Sequence, residues 1–153
     1  VNLSSKSKDD LYVVIIGCGR LGALLAARLS ASGNAVVILD RDPDAFSELP
    51  PEFSGFRVEG DASQTALLRQ AKTGQADVLI ATTHDDNLNL MVAQVAKEVF
   101  HVPKVMARVF DPSRGAVYEG FGIDTVCPTS IAALAFLDAL GADRPRTVEG
   151  TPS

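Results

Sequence analysis

A chain of 153 residues with 46% apolar side chains has room for one ordinary domain with its own core. Its formal charge of -5 and pI near 4.9 leave no broad basic surface for a phosphate backbone, so no nucleic-acid partner is expected, whereas a small phosphorylated ligand needs only a local set of backbone donors. Two distant cysteines, Cys18 and Cys127, fit a reducing, cytoplasmic address better than a stapled secreted scaffold, and no apolar run reaches the roughly 18 to 20 residues of a membrane span.

Residues 1–10 are polar and without period, and are expected to form a loose segment; a start at Val1 rather than Met fits a processed product or a piece of a longer chain. Tyr12 to Ile16 is an uninterrupted apolar run, as a strand buried on both faces requires, and Leu21 to Ser30 follows as a helix closed by Gly33 and Asn34. Ala35 to Leu39 reads as the second strand, ended by Asp40. Asp42-Pro43 then supplies a cap and a first-turn proline for a short helix to Leu49. Phe56 to Glu59 is the third strand, and Gly60-Asp61-Ala62-Ser63 leads into a helix with Leu67 and Leu68 on its inner face.

Asp77 to Ala81 is the fourth strand. The longest helix runs from Asp85 to about Phe100, with Leu88, Met91, Val92, Val95 and Val99 at helical spacing as its inner stripe. Lys104 to Val109 is the fifth strand, Asp111-Pro112 caps a helix to about Gly120, Thr125 and Val126 mark a short sixth strand, and Thr129 to Leu140 is the closing helix. These βα units complete two βαβαβ halves. The expected fold class is therefore α/β: a Rossmann-type, doubly wound parallel six-stranded sheet in three α/β/α layers, order 3-2-1-4-5-6. It occupies residues 11–141, with 142–153, rich in Pro, Gly and charge, as a loose tail. Ligands of such sheets sit where the order reverses, between the first and fourth strands.

The chemistry converges on that crevice. Gly17-Cys18-Gly19-Arg20-Leu21-Gly22 follows the first strand directly and opens a helix, and Asp40 ends the second strand 18 residues after Gly22. Gly17 permits the tight turn, Gly19 lacks the Cβ that would block a pyrophosphate, and Gly22 lets the helix approach the sheet. Amides of Arg20 and Leu21 then meet phosphate at the positive end of the helix. Asp40 can accept hydrogen bonds from both ribose hydroxyls, while a 2′-phosphate would meet like charge, so NAD(H) or AMP, ADP and ATP are preferred over NADP; Arg41 next door softens that preference. Asp61 and Ala62 either flank an adenine pocket or, with Ser63, cap the next helix.

Thr82, Thr83 and His84 stand across the crevice from the glycine turn. Asp85 or Asp86 caps the long helix, and Asn87 is placed to approach the second half of a ligand. Arg108, near the exit of the fifth strand among apolar residues, needs an anion, a carboxylate or a subunit contact. His84 and His101 have no metal-ligand spacing with the cysteines, so no metal site is expected.

With these residues placed, the chain resembles the N-terminal nucleotide-binding domain (RCK, KTN or TrkA-N) of Trk and Ktr potassium-uptake and potassium-channel regulators, from about Tyr12 to Leu140. The resemblance rests on VVIIGCGRLG, VVILDRDP, VEGDAS, IATTHDDNLNL, VAKEVFHVPKVMARVFDP and GFGIDTVCP. It implies a cytoplasmic regulatory subunit at the inner face of the cell membrane, a homodimer or higher ring that binds NAD(H), ATP, ADP or AMP and acts on a membrane potassium channel or transporter. It implies nucleotide contacts at Gly17, Gly19, Arg20, Leu21, Asp40, Arg41, Asp61, Ala62 and Thr82. The helix from Thr129 to Leu140 would then pack on a neighbouring subunit, although its apolar residues Ile131, Leu134, Ala135 and Leu137 equally suit a core helix.

Two other readings stay open. An NAD-dependent oxidoreductase needs a positioned acid or base, but Tyr118 has Gly122 rather than Lys four residues on, so no Tyr-x-x-x-Lys relay exists and no enzyme is expected. The chain is alternatively the cytosolic domain of a larger cation antiporter or channel chain.

Overall fold

The computed structural model describes residues 10–141; the loose ends expected at 1–10 and 142–153 lie outside it, apart from Asp10. Six parallel strands are β1 (Tyr12–Ile16), β2 (Ala35–Asp40), β3 (Phe56–Glu59), β4 (Val78–Ala81), β5 (Lys104–Arg108) and β6 (Asp124–Val126), ordered β3-β2-β1-β4-β5-β6 as expected. The helices are α1 (Arg20–Ala31), α2 (Thr65–Gln70), α3 (Asp86–Glu98), α4 (Gly115–Glu119) and α5 (Pro128–Ala139).

Strand alternation divides the core in two. Val13, Ile15, Val36 and Ile38 point to the face covered by Ala23 and Ala26 of α1 together with Leu49 and Phe53. Val14, Ile16, Val37 and Leu39 point to the other face, against Leu68 of α2 and Leu90, Val92, Ala93 and Ala96 of α3. Both faces of β1 and β2 are therefore apolar, which explains their unbroken runs of β-branched residues and leucine. The central registers Val14↔Val37 and Val14↔Leu79 bring the carboxyl ends of β1, β2 and β4 to one rim.

Several local expectations change. The segment after Asp42 is a 3-10 helix, Pro43–Glu48; Asp42 caps it by accepting from the amide of Asp44. The helix expected after Asp111 divides into a 3-10 turn, Pro112–Arg114, and the short α4, since Asp111 and Pro112 fix a tight start with no buried side chain to extend it. In α3 the buried residues are Asn89, Leu90, Val92, Ala93 and Ala96, whereas Met91 and Val99 are exposed. Small alanines let this helix lie close to the sheet, which rotates the expected stripe. Within α5 no residue is buried, and Phe136 is 72% exposed, so it is not a core helix of this chain.

Candidate functional site

The first strand leaves the sheet at Gly17, whose φ of +99° is a conformation L side chains rarely adopt. A Cβ there would also stand 2.9 Å from the Thr83 amide nitrogen. Gly22 is tighter: a Cβ would lie 1.9 Å from the Gly17 carbonyl oxygen and 2.8 Å from Thr82 Oγ1. At Gly19 the nearest heavy atom is His84 Nε2 at 3.6 Å, so two glycines serve packing and the third leaves space. Gly19 is the N-cap of α1 and offers no side-chain cap. The first bond of the helix is from the Ala23 amide to the Gly19 carbonyl, 2.9 Å. Amides of Arg20 and Leu21 precede it at the positive end of the helix dipole.

Asp40 is fixed from two sides. Its Oδ2 accepts from the Cys18 amide at 2.8 Å, and its Oδ1 from the Asp42 amide at 2.9 Å. The carboxylate thus ties the glycine turn to the end of β2, and each oxygen has a further lone pair for a hydroxyl donor. Cys18 contributes its amide to this tie, while its side chain is buried in the core on the α1 side. Burial first, then the Asp40 carboxylate, pushes that thiol up to about 11.

Ile16, Gly17, Leu39, Asp40, Arg41, Gly60, Asp61, Ala62, Thr83, His84, Asp85 and Leu88 surround a cleft of about 320 Å³ at the carboxyl ends of the strands. Apolar walls from Ile16, Leu39, Ala62 and Leu88 thus meet a polar rim. Asp61 Oδ1 accepts from the Ser63 amide at 2.9 Å, which is a turn closed on itself; Gln64, not Asp61, is the N-cap of α2, so the capping reading is corrected. The Ser63 hydrogen bonds, with Arg41 adding a smaller effect, hold the Asp61 carboxyl below the usual range. A larger hollow of about 540 Å³ opens at the opposite end of the sheet beside Tyr12, Phe56 and Gln70, far from the glycine turn.

On the fourth-strand side, Thr82 differs from expectation. It is buried, and its hydroxyl bonds to the carbonyls of Ile16 and Gly17, both at 3.1 Å, so it braces the turn from behind. Asn89 is wholly buried and organises the loop above it. Its Oδ1 accepts from the amide and hydroxyl of Thr83, and its Nδ2 donates to the carbonyls of Thr83 and Arg108. Asp85 caps α3 through the amides of Asn87 and Leu88, while Asp86 accepts from the amides of Phe110 and Asp111. Asn87 accepts from Arg114 Nη1 at 2.7 Å and so turns toward the segment after β5.

Arg108 finds partners of another kind than those expected. Its Nη2 donates to the carbonyls of Thr82 and Thr83, and its guanidinium lies 4.7 Å from the centre of the Phe110 ring. Among the described residues Nε is buried with no hydrogen-bond partner. Burial lowers the Arg108 pKa, and the nearby Asp86 carboxylate opposes that shift. Phe110 in turn stacks on His84, centroids 6.5 Å apart and planes 13° from parallel.

The cleft thus collects Gly17, Asp40, Arg41, Asp61, Ala62 and Thr83 of the expected site, with Gly19, Arg20, Leu21 and Gly22 forming the turn beside it. Thr82 and Arg108 stand behind as braces, and Asn87 points away. Sequence reasoning missed the bracing by Asn89. Its signal was present: Asn87 and Asn89 are about 200° apart on a helix, so one of them had to face inward.

Fold and crevice together define a doubly wound, Rossmann-type domain with a glycine turn and a strand-end carboxylate at its topological switch point. Residues 13–129 match the TrkA-N domain family. The Trk system potassium uptake protein TrkA of Streptomyces coelicolor is 42% identical over 116 residues, covering 76% of this chain and 52% of that protein. Among solved structures, the GsuK channel bound to NAD aligns with a TM-score of 0.75 at 26% identity, over 89% of this chain and 24% of that one. The Shewanella denitrificans Kef CTD in its AMP-bound form aligns with a TM-score of 0.72 at 26% identity, over 85% and 80% of the two chains. The chain belongs to the TrkA-N domain family, and it spans about half the length of several of the curated relatives it matches and about a fifth of others.

Proposed function

We propose that this chain is the nucleotide-sensing domain of a regulator of potassium transport, binding NAD(H) or AMP, ADP and ATP at the glycine turn and acting on a membrane channel or transporter from the cytoplasmic face. The observation that carries the reading is the Asp40 carboxylate, held by the Cys18 amide beside the exposed start of α1. That pairing offers a ribose acceptor and phosphate donors side by side. NAD and AMP in the GsuK and Kef structures support the ligand class. Potassium uptake by the TrkA relatives supports the context.

A route from ligand to surface runs through the loop after β5. Arg108 grips the Thr82 and Thr83 carbonyls, Asp86 holds the Phe110 and Asp111 amides, and the Cys127 thiol at the start of α5 reaches the Phe110 carbonyl at 3.7 Å. Movement in the crevice is thereby felt at α5. This helix exposes Ile131, Leu134, Phe136, Leu137 and, just past its end, Leu140, which suits a contact between copies in a homodimer or ring. No catalytic role is proposed, since Tyr118 lacks a lysine four residues on and so forms no Tyr-x-x-x-Lys relay.

Hydrogen exchange with and without NAD, NADH, ATP, ADP and AMP tests the sensing role. Slower exchange at residues 17–22 together with a change at 108–131 is expected for at least one ligand. Protection confined to the turn would mean binding without signalling, and no change anywhere would remove the proposal. Turnover of a nicotinamide cofactor with a small carbonyl compound would favour the oxidoreductase reading instead.

A further inference from the structure

The glycine turn supplies donors from one side of the phosphate path only. Those donors are the backbone amides at the start of α1, and His84 faces them from the β4 side. A side chain built on Gly19 would find His84 Nε2 as its nearest heavy atom, 3.6 Å away, so the space left by the missing Cβ is bounded by an imidazole nitrogen. His84 is exposed and lines the cleft. Among the described residues its ring packs on Phe110, which orients the imidazole without occupying its nitrogens.

We propose that His84 is a specificity residue that reads the second phosphate of the ligand, and so separates ADP, ATP and dinucleotides from AMP. The inference rests on the nucleotide reading above and adds a direction to it. A ribose held by Asp40 lies at the end of β2, and the ligand must run from there over Gly17 and Gly19 toward the end of β4. The first phosphate meets the amides of the turn. The next lies farther toward β4, where the imidazole N–H donates a charge-assisted hydrogen bond to it. AMP ends before that point.

Because His84 is exposed and its ring only stacks on the exposed Phe110, His84→Ala is expected to fold with a melting temperature close to that of wild type. Calorimetric titration of wild type, His84→Ala and His84→Gln with AMP, ADP, ATP and NAD then tests the assignment. The alanine variant should lose about tenfold in affinity for ADP, ATP and NAD, and less than twofold for AMP, with partial recovery in the glutamine variant, which keeps an N–H donor. Equal losses for AMP and ADP, or no loss for any of them, would overturn the role of His84 while leaving the site intact. Failure of wild type to bind any of the four would overturn the nucleotide reading and this inference with it.

Discussion

A methyl group at Gly22 would stand 1.9 Å from a backbone carbonyl, so Gly22→Ala must push α1 away from the turn and is expected to cost about 2–3 kcal/mol by denaturant unfolding. At Gly19 the same methyl meets only the tip of His84 at 3.6 Å, so Gly19→Ala should fold with at most the small loss of a poorer α1 N-cap yet lose nucleotide affinity, because the methyl occupies phosphate space. Unchanged affinity in that variant would contradict the phosphate path. The two cysteines diverge just as clearly. Cys18 is buried with its thiol pushed up to about 11, whereas hydrogen bonds from Ser130 first lower the pKa of the partly exposed Cys127. At pH 8 the fraction of thiolate is therefore negligible at Cys18 and larger than ordinary at Cys127. Iodoacetamide followed by peptide mapping should label Cys127 first and Cys18 only on unfolding. The turn and Asp40 were legible in sequence because glycine and carboxylate spacing reports backbone conformation directly. Thr82 and Arg108 were expected to line the crevice but stand behind it, bonded to backbone carbonyls, since carbonyls of neighbouring strands leave no trace in a sequence pattern.

Elements were legible where their apolar pattern was dense. β1 and β2 are buried on both faces and were recovered nearly to the residue, whereas the 3-10 segments after Asp42 and Asp111 share the Asp-Pro start of an α-helix and differ only in how soon the core releases them. The α3 stripe was right for Val92, which is buried, and for Leu88 and Val95, which pack against the core. It was wrong for the exposed Met91 and Val99, because Ala93 and Ala96 contribute little hydrophobic signal yet govern close approach to the sheet. Within α3, Asn89 ties Thr83 to Arg108, and Asn89→Ala, which removes four hydrogen bonds to these two residues, should destabilise the domain by about 3 kcal/mol. Urea unfolding measures that cost, and a change under about 0.5 kcal/mol would mean the loop is held by other contacts. In α5, Phe136→Asp touches no core residue, so it should leave the melting temperature of a monomer unchanged while lowering the mass seen by light scattering. A wild type that is monomeric at all concentrations would remove the assembly role of this helix.

Across the whole molecule, one continuous sheet places the two halves on either side of the cleft, and its glycine turn, Asp40 carboxylate and far wall stand at the carboxyl ends of β1, β2 and β4 respectively. That arrangement follows from strand order, which the alternation of strands and helices made predictable. What strand order does not encode is the set of loop contacts between the crevice and the start of α5, which are visible only in three dimensions. A ligand held by this cleft must also stabilise the fold by mass action, by about 2.7 kcal/mol at a hundredfold excess over its dissociation constant. The most direct measurement is a calorimetric titration of wild type and Asp40→Ala with ADP and NAD. One ligand per chain in wild type, with affinity at least about tenfold weaker once the carboxylate is gone, is the predicted result. Equal binding by the two proteins, or no heat from either, would contradict a nucleotide site built on Asp40 and the glycine turn.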